Sequence, residues 1–184
     1  MDLYDVIRTR RSVRSFLSSP IPREVITRIL EAARLAPSAS NKMPWKFVVV
    51  TDAEKRKAIA VSGVYGKFLA QSPAVIVGCG DVAKAAKWFM VDTAIALEHV
   101  ALAATAEGLG SCWIGSFDET TVKSLLKVPD NYRVVCLMAL GYPKEKIDLA
   151  SAATHLRRTK GIEDIASSEE FGNAWEKEVS AHPG

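Results

Sequence analysis

The 184-residue sequence is poor in cysteine: Cys79, Cys112 and Cys136 each stand singly inside an apolar run. An odd number at wide spacing excludes a disulfide framework and offers neither a close-paired zinc site nor a thiol redox motif, so these residues read as buried thiols. Long apolar runs are also missing. The longest stretch without Asp, Glu, Lys or Arg is Phe68 to Gly80, which holds a proline and is too short to span a bilayer, so no membrane partner is expected. The opening residues, MDLYDVIRTRR, lack the apolar core of a secretory signal, and a cytoplasmic protein is expected. Neither charge dominates: 24 Lys and Arg stand against 21 Asp and Glu, a net +3, with no global field of the kind that drives nucleic-acid binding. The signatures HExxH, GxSxG and GxGxxG are absent, as are internal repeats and low-complexity segments.

What is present suits one domain with an arm. Apolar residues make up 48% and charged residues 24%, ordinary for a globular chain that can bury a substantial core. Leu3, Tyr4, Val6 and Ile7 lie at helical spacing and predict a short helix ending near Arg8 to Arg10. Pro22 suits a first helical position, and Val25, Ile26, Ile29, Leu30 and Ala33 form a stripe that Pro37 ends. A strand KFVVVT, a helix over Ala53 to Val61 and the strand PAVIVGCG follow. Residues Ala83 to Glu107 predict a long core helix, apolar on most sides. SCWIGSF reads as a short strand and turn, Asp118 as the N-cap of a helix through Leu126, and Tyr132 to Leu140 as a buried strand. Apolar density falls after Gly141. The segment EEFGNAWEKEV reads as a helix in a tail too polar for a second core, an arm expected to pack on a second copy of the chain. The pattern predicts helices on both faces of a mixed sheet.

Four arginines, Arg8, Arg10, Arg11 and Arg14, fall within seven residues, with Ser12 among them. The planar guanidinium fork suits phosphate, and a serine hydroxyl adds a donor; a solvated basic face or a weak nucleic-acid contact is the bland alternative. A second basic group, Arg157, Arg158 and Lys160, lies far along the chain. Pro37, Ser38, Ala39, Ser40 and Asn41 form a turn rich in short hydrogen-bonding side chains, readable as a simple C-cap or as a polar edge for a planar heterocycle. Ile114, Gly115 and Ser116 follow a strand end where a glycine lets a backbone N–H approach a ligand, or merely makes a tight turn. His99 reads as a satisfied core histidine. Asp92 and Glu98, six apart, do not face one another as a catalytic pair.

Taken in order, IRTRRSVRSF, APSASNKMPWKFVVV, the core helix with GLGSCWIGSF, VPDNYRVVCLMALGYP and HLRRTKGIEDI resemble the nitroreductase family of flavoenzymes over most of the chain. The resemblance implies an α/β (α+β) three-layer fold: a core over 1–143 and a C-terminal arm over 144–184 exchanged in a homodimer. It implies FMN at the subunit interface and NADH or NADPH as electron donor. By position, Arg10, Arg11 and Ser12 would hold the phosphate and ribityl chain, helped by Arg157 and Arg158, and Arg14 would sit by the pyrimidine edge. Pro37 to Asn41 would come from the opposite subunit. Ile114, Gly115 and Ser116 would lie beside the ring, and Lys67 would reach the flavin edge. Relatives commonly carry glutamine where this chain has Met43, and the proline that often follows the tail's basic pair is absent. The expected chemistry is hydride transfer through the flavin to a nitro compound or quinone, with no dedicated protein acid or base. Rivals are dehalogenation, flavin fragmentation or sensing on the same fold, and a basic nucleic-acid module.

Overall fold

Alternation of apolar residues along two strands sets the layering. In the computed structural model, which describes residues 1–63, 67–144 and 160–175, four strands form one sheet: β1 (Trp45–Val50), β2 (Ala74–Asp81), β3 (Gly110–Ile114) and β4 (Tyr132–Gly141). Their order is β1-β2-β4-β3. On one face Ala74, Ile76, Met138 and Leu140 pack with Ile26, Ile29 and Ala33 of α2 (Arg23–Arg34), and with Ala96, Leu97, Val100, Ala101 and Ala104 of α4 (Phe89–Ala106). On the other, Val75, Val77, Leu137 and Ala139 pack with Ile59 and Ala60 of α3 (Ala53–Val61) and Val122 of α5 (Glu119–Leu126). The two-residue period of a strand thus feeds two cores from one sheet. A bulge between Gly78 and Cys79 resets the period on β4, so that Val134 faces the same side as Leu137, as an inserted residue requires. Each fully buried leucine or isoleucine here stabilises the fold by about 1.5–3 kcal/mol.

Helices cover both faces, as the pattern predicted. The sheet, expected to be mixed, has three antiparallel ladders; its parallel element among the described residues is the isolated bridge Ser12–Ser111. α1 spans Leu3–Thr9, capped by Asp2, whose side chain accepts from Asp5 N at 2.9 Å. Asp118 caps α5, accepting from Thr121 N at 2.7 Å. Pro22 lies one position earlier than expected, as the residue flanking α2. The core helix begins at Phe89 rather than Ala83. The Asp81 carboxylate accepts from Ala83 N at 3.0 Å and Lys84 N at 3.1 Å, which draws residues 82–88 into turns. α4 is long and apolar enough to cross a membrane by composition alone, but the face carrying Ala96, Leu97, Val100 and Ala104 is buried in the fold.

The chain divides into two units, Met1–Asp148 and Leu149–Gly184. Within the second, the expected helix is replaced over Glu169–Trp175 by a loop closed by the bridge Ser167–Ala174. Glu169 at φ 62° and Gly172 at φ 98° adopt left-handed backbone, which a helix does not contain. Residues 176–179 of that expected helix lie outside the described residues.

Candidate functional site

α1 ends where Arg10 N donates to Val6 O at 2.9 Å, and the chain then becomes extended. Ser12 pairs with Ser111 of β3, and Val13 N donates to Ser111 O at 2.9 Å. Val13 fills the space that a side chain at Gly110 would need, its nearest atom 2.6 Å from such a Cβ. Phe16, buried, bridges to Pro143 and lies over Gly141. Apolar residues therefore pin this segment to the sheet edge, while the basic ones stay at or near the surface. Arg10 is half-buried, 3.8 Å from Glu98 of α4, and Arg8 lies 3.9 Å from Asp5. Arg11 is exposed and Arg14 half-buried; neither has an ion-pair partner among the described residues.

The Pro37–Asn41 turn is held against the first turn of α4. Ala39 N donates to Asp92 Oδ1 at 3.1 Å, Asn41 N to Ser38 O at 2.9 Å and Lys42 N to Ala39 O at 3.1 Å. Ser38 Oγ accepts from Met43 N at 2.8 Å. Ser40, Asn41 and Met43 all have left-handed backbone, φ 52°, 53° and 44°. Non-glycine residues disfavour this region, and such outliers cluster at functional sites. An open cleft runs beside the turn, lined by Pro37, Ser38, Ala39, Trp88, Val91 and Ile95, with Asp92 at its base.

At the far end of β3, Ile114 is buried and Gly115 exposed, with nothing within 4 Å of where a Cβ would stand. Ser116 O closes on Gly63, where any side chain would collide with it, and Asp118 N donates to Ser62 O at 2.8 Å. Cys136 donates its thiol to Ile114 O at 3.1 Å, and burial pushes that thiol up to about 11, so it serves packing rather than nucleophilic chemistry. Lys67 opens a single helical turn, Lys67–Ala70. Arg157 and Arg158 lie outside the described residues.

The structure thus joins the arginine segment to the β3 edge at Ser111 and sets Gly115 four residues further along. At the usual strand rise that is about 13 Å. α4 touches the turn through Asp92 and Arg10 through Glu98, contacts about 9 Å apart along the helix axis. Sequence reading set Asp92 aside as half of a catalytic pair and missed its contact with the turn; the residue is 2% exposed. Its signal was a lone acid in an otherwise apolar helical turn. Trp88, Val91 and Ile95 were missed for the same reason that α4 read as core: apolar residues surround the whole helix.

An antiparallel sheet in this order, covered on both faces and carrying a basic segment along one edge, defines an α+β class of domain. The sequence model described as the Nitroreductase family matches residues 7–63 and 60–142, and the chain belongs to that family of oxidoreductases. It is 38% identical over 155 residues to a protein of Archaeoglobus fulgidus whose provisional name pairs NADH dehydrogenase with NAD(P)H nitroreductase, covering 80% of this chain and 88% of that one. A solved nitroreductase family protein from Clostridium novyi NT superimposes with a TM-score of 0.76 at 34% identity, covering 95% of this chain and 97% of that one. An FMN-dependent nitroreductase from Clostridium difficile R20291 superimposes with a TM-score of 0.72 at 30% identity, covering 85% and 98%.

Proposed function

We propose that the protein binds FMN, takes hydride from NADH or NADPH, and passes it to a small oxidised acceptor such as a nitroaromatic or quinone in ping-pong order. The observation that carries this reading is the pinned basic segment: Arg14 is half-buried and Arg11 exposed, with no carboxylate opposite either among the described residues. A guanidinium partly withdrawn from water favours an anionic partner, and no described residue supplies one. The donor set fits FMN. Arg10, Arg11 and Ser12 would grip the phosphate, with Arg157 and Arg158 of the tail adding to them. Arg14 would sit by the pyrimidine edge, Ile114, Gly115 and Ser116 would lie beside the ring, and Lys67 would reach its edge. The Pro37–Asn41 turn is supplied by the opposite subunit of a homodimer, whose arms exchange. The FMN-dependent relative and the nicotinamide-linked name of the archaeal one support cofactor and donor.

FMN, when bound, supplies the two-electron chemistry. The chain's residues do the rest: basic side chains fix the anionic tail, and the open face at Gly115 leaves room for a backbone N–H to approach the ring. Between Ala53 and Gln71 the described residues form α3 and one short turn, which favours reduction over the rival activities that need an elaborate lid. A cytoplasmic site of action is part of this reading.

The test is anaerobic. The purified protein is expected to be yellow, to bleach on adding NADH or NADPH, and to regain colour with a nitroaromatic or quinone. A colourless protein with steeply salt-dependent nucleic-acid binding, or a yellow one that neither nicotinamide bleaches, overturns the proposal.

A further inference from the structure

Asp92 has no part in the hydride-transfer scheme, yet it is among the few charged residues withdrawn from solvent. It is 2% exposed; among the described residues its Oδ1 accepts from Ala39 N alone, at 3.1 Å, and its Oδ2 is buried without a partner. A buried carboxylate in that state needs a reason. Its place in the first turn of α4 lets the positive end of the helix dipole stabilise the charge. The group it holds is the most distorted stretch of backbone described: Ser40, Asn41 and Met43 are all left-handed. The other bonds of residues 38–43 are internal to the turn, or come from Lys84 Nζ, which donates to Met43 O at 3.4 Å; beyond the turn, Pro44 O accepts from Asp81 N at 2.8 Å. Asp92 is therefore the buried anchor that ties the turn to the core.

We infer that Asp92 is a positioning residue, whose side-chain oxygen, accepting from Ala39 N, locks the Ser38–Met43 turn in its left-handed form and so preorganises the polar edge that the turn offers to a flavin. The second half rests on the proposed function; the lock does not. Without the lock the turn samples ordinary right-handed or extended backbone, and the hydroxyl and amide groups of Ser38, Ser40 and Asn41 lose their fixed spacing. A ligand that binds them must then order them first, which weakens binding. The effect is on assembly of the site and leaves the fold's main cores untouched.

The experiment compares Asp92→Ala and Asp92→Asn with the parent. Asparagine keeps an acceptor for Ala39 N and removes the charge; alanine removes both. Two readouts are taken: amide hydrogen exchange over residues 38–43, and the Kd for FMN added back to flavin-stripped full-length protein. Asp92→Ala is expected to speed exchange in that segment at least tenfold and raise the Kd about tenfold. Asp92→Asn is expected to stay within about threefold of the parent on both. Should Asp92→Ala not accumulate, Asp92→Ser, too short to reach Ala39 N, carries the same expectation. Unchanged exchange in the alanine or serine variant overturns the lock, as does an asparagine variant as loose as alanine. Faster exchange with an unchanged Kd overturns the positioning role and the placement of the turn at the flavin, while the proposed phosphate grip is tested separately at Arg10.

Discussion

Single side chains here divide into those spent on the fold and those left for a ligand. Glu119 belongs to the first kind: it accepts from Arg133 Nε and Nη2, each at 2.8 Å, and from Val134 N at 2.9 Å. The Arg133 hydrogen bond, and then the bond from Val134, hold its carboxyl below the ordinary glutamate value of 4.5. A carboxyl whose folded pKa is lowered contributes stability above its unfolded pKa and loses it as pH falls through the folded one. Glu119→Gln is expected to cost about 1 kcal/mol at neutral pH, since Arg133 is largely exposed, and to flatten the fall of stability below pH 4.5; parallel acid limbs in urea melts of the two proteins would reject this. Arg10 belongs to the second kind. Its only ion-pair partner among the described residues is Glu98, at a loose 3.8 Å, a contact worth a fraction of a kcal/mol at most. Arg10→Ala should therefore melt near the parent temperature yet purify with well under half the flavin. Full flavin content in that variant removes Arg10 from the phosphate site.

At the scale of elements, the contact that matters most for the site is between the arginine segment and the β3 edge. Gly110 has no side chain because Val13 occupies the space, 2.6 Å from where a Cβ would stand. Gly110→Ala must displace Val13, with a cost of about 1–3 kcal/mol for overpacking, and should loosen Ser12 from Ser111 as well. Lower thermal stability together with weaker flavin retention is expected; lower stability with parent-like retention would mean that the segment does not carry the phosphate grip. Most elements were legible beforehand because their signals are local. Asp118 before the α5 helix and the β-branched run of β1 announce themselves within a few residues. The start of α4 was not, because the Asp81 turn that displaces it depends on a carboxylate finding two backbone donors. The loop at Glu169–Trp175 was misread for a similar reason: its charged pattern suits a helix, and only the left-handed Glu169 and Gly172 end it. At the site, the arginines and the Ser/Asn turn stood out by composition. Asp92 did not, since a hydrogen bond across 53 residues leaves no mark on either segment alone.

The whole molecule has more apolar surface than one chain can cover. α1 exposes Leu3, Tyr4 and Ile7, and α4, which packs against it, exposes Met90, Val91 and Ile95. Trp88, the exposed residue that caps α4, continues the stripe of Val91 and Ile95, so this helix has a second apolar face opposite the one buried on the sheet. That arrangement suits a helix buried from both sides, and a contiguous exposed patch of this kind marks an interaction surface. Val91 and Ile95 share a cleft with Pro37, Ser38 and Ala39, and the proposed function has a second copy seated on this face with its basic segment against the turn. Under the proposed function, assembly and flavin binding then become one event. Ile95→Asp places a charge in the middle of the stripe at a position 36% exposed, so the isolated chain should tolerate it while the pair does not. Sedimentation of the parent at micromolar concentration is expected to give twice the 20.0 kDa chain mass. The variant should sediment as a single chain and lose its flavin together with its partner. A variant that becomes monomeric but keeps its flavin would place the whole site within one subunit, and the Pro37–Asn41 turn could then not be the partner's contribution.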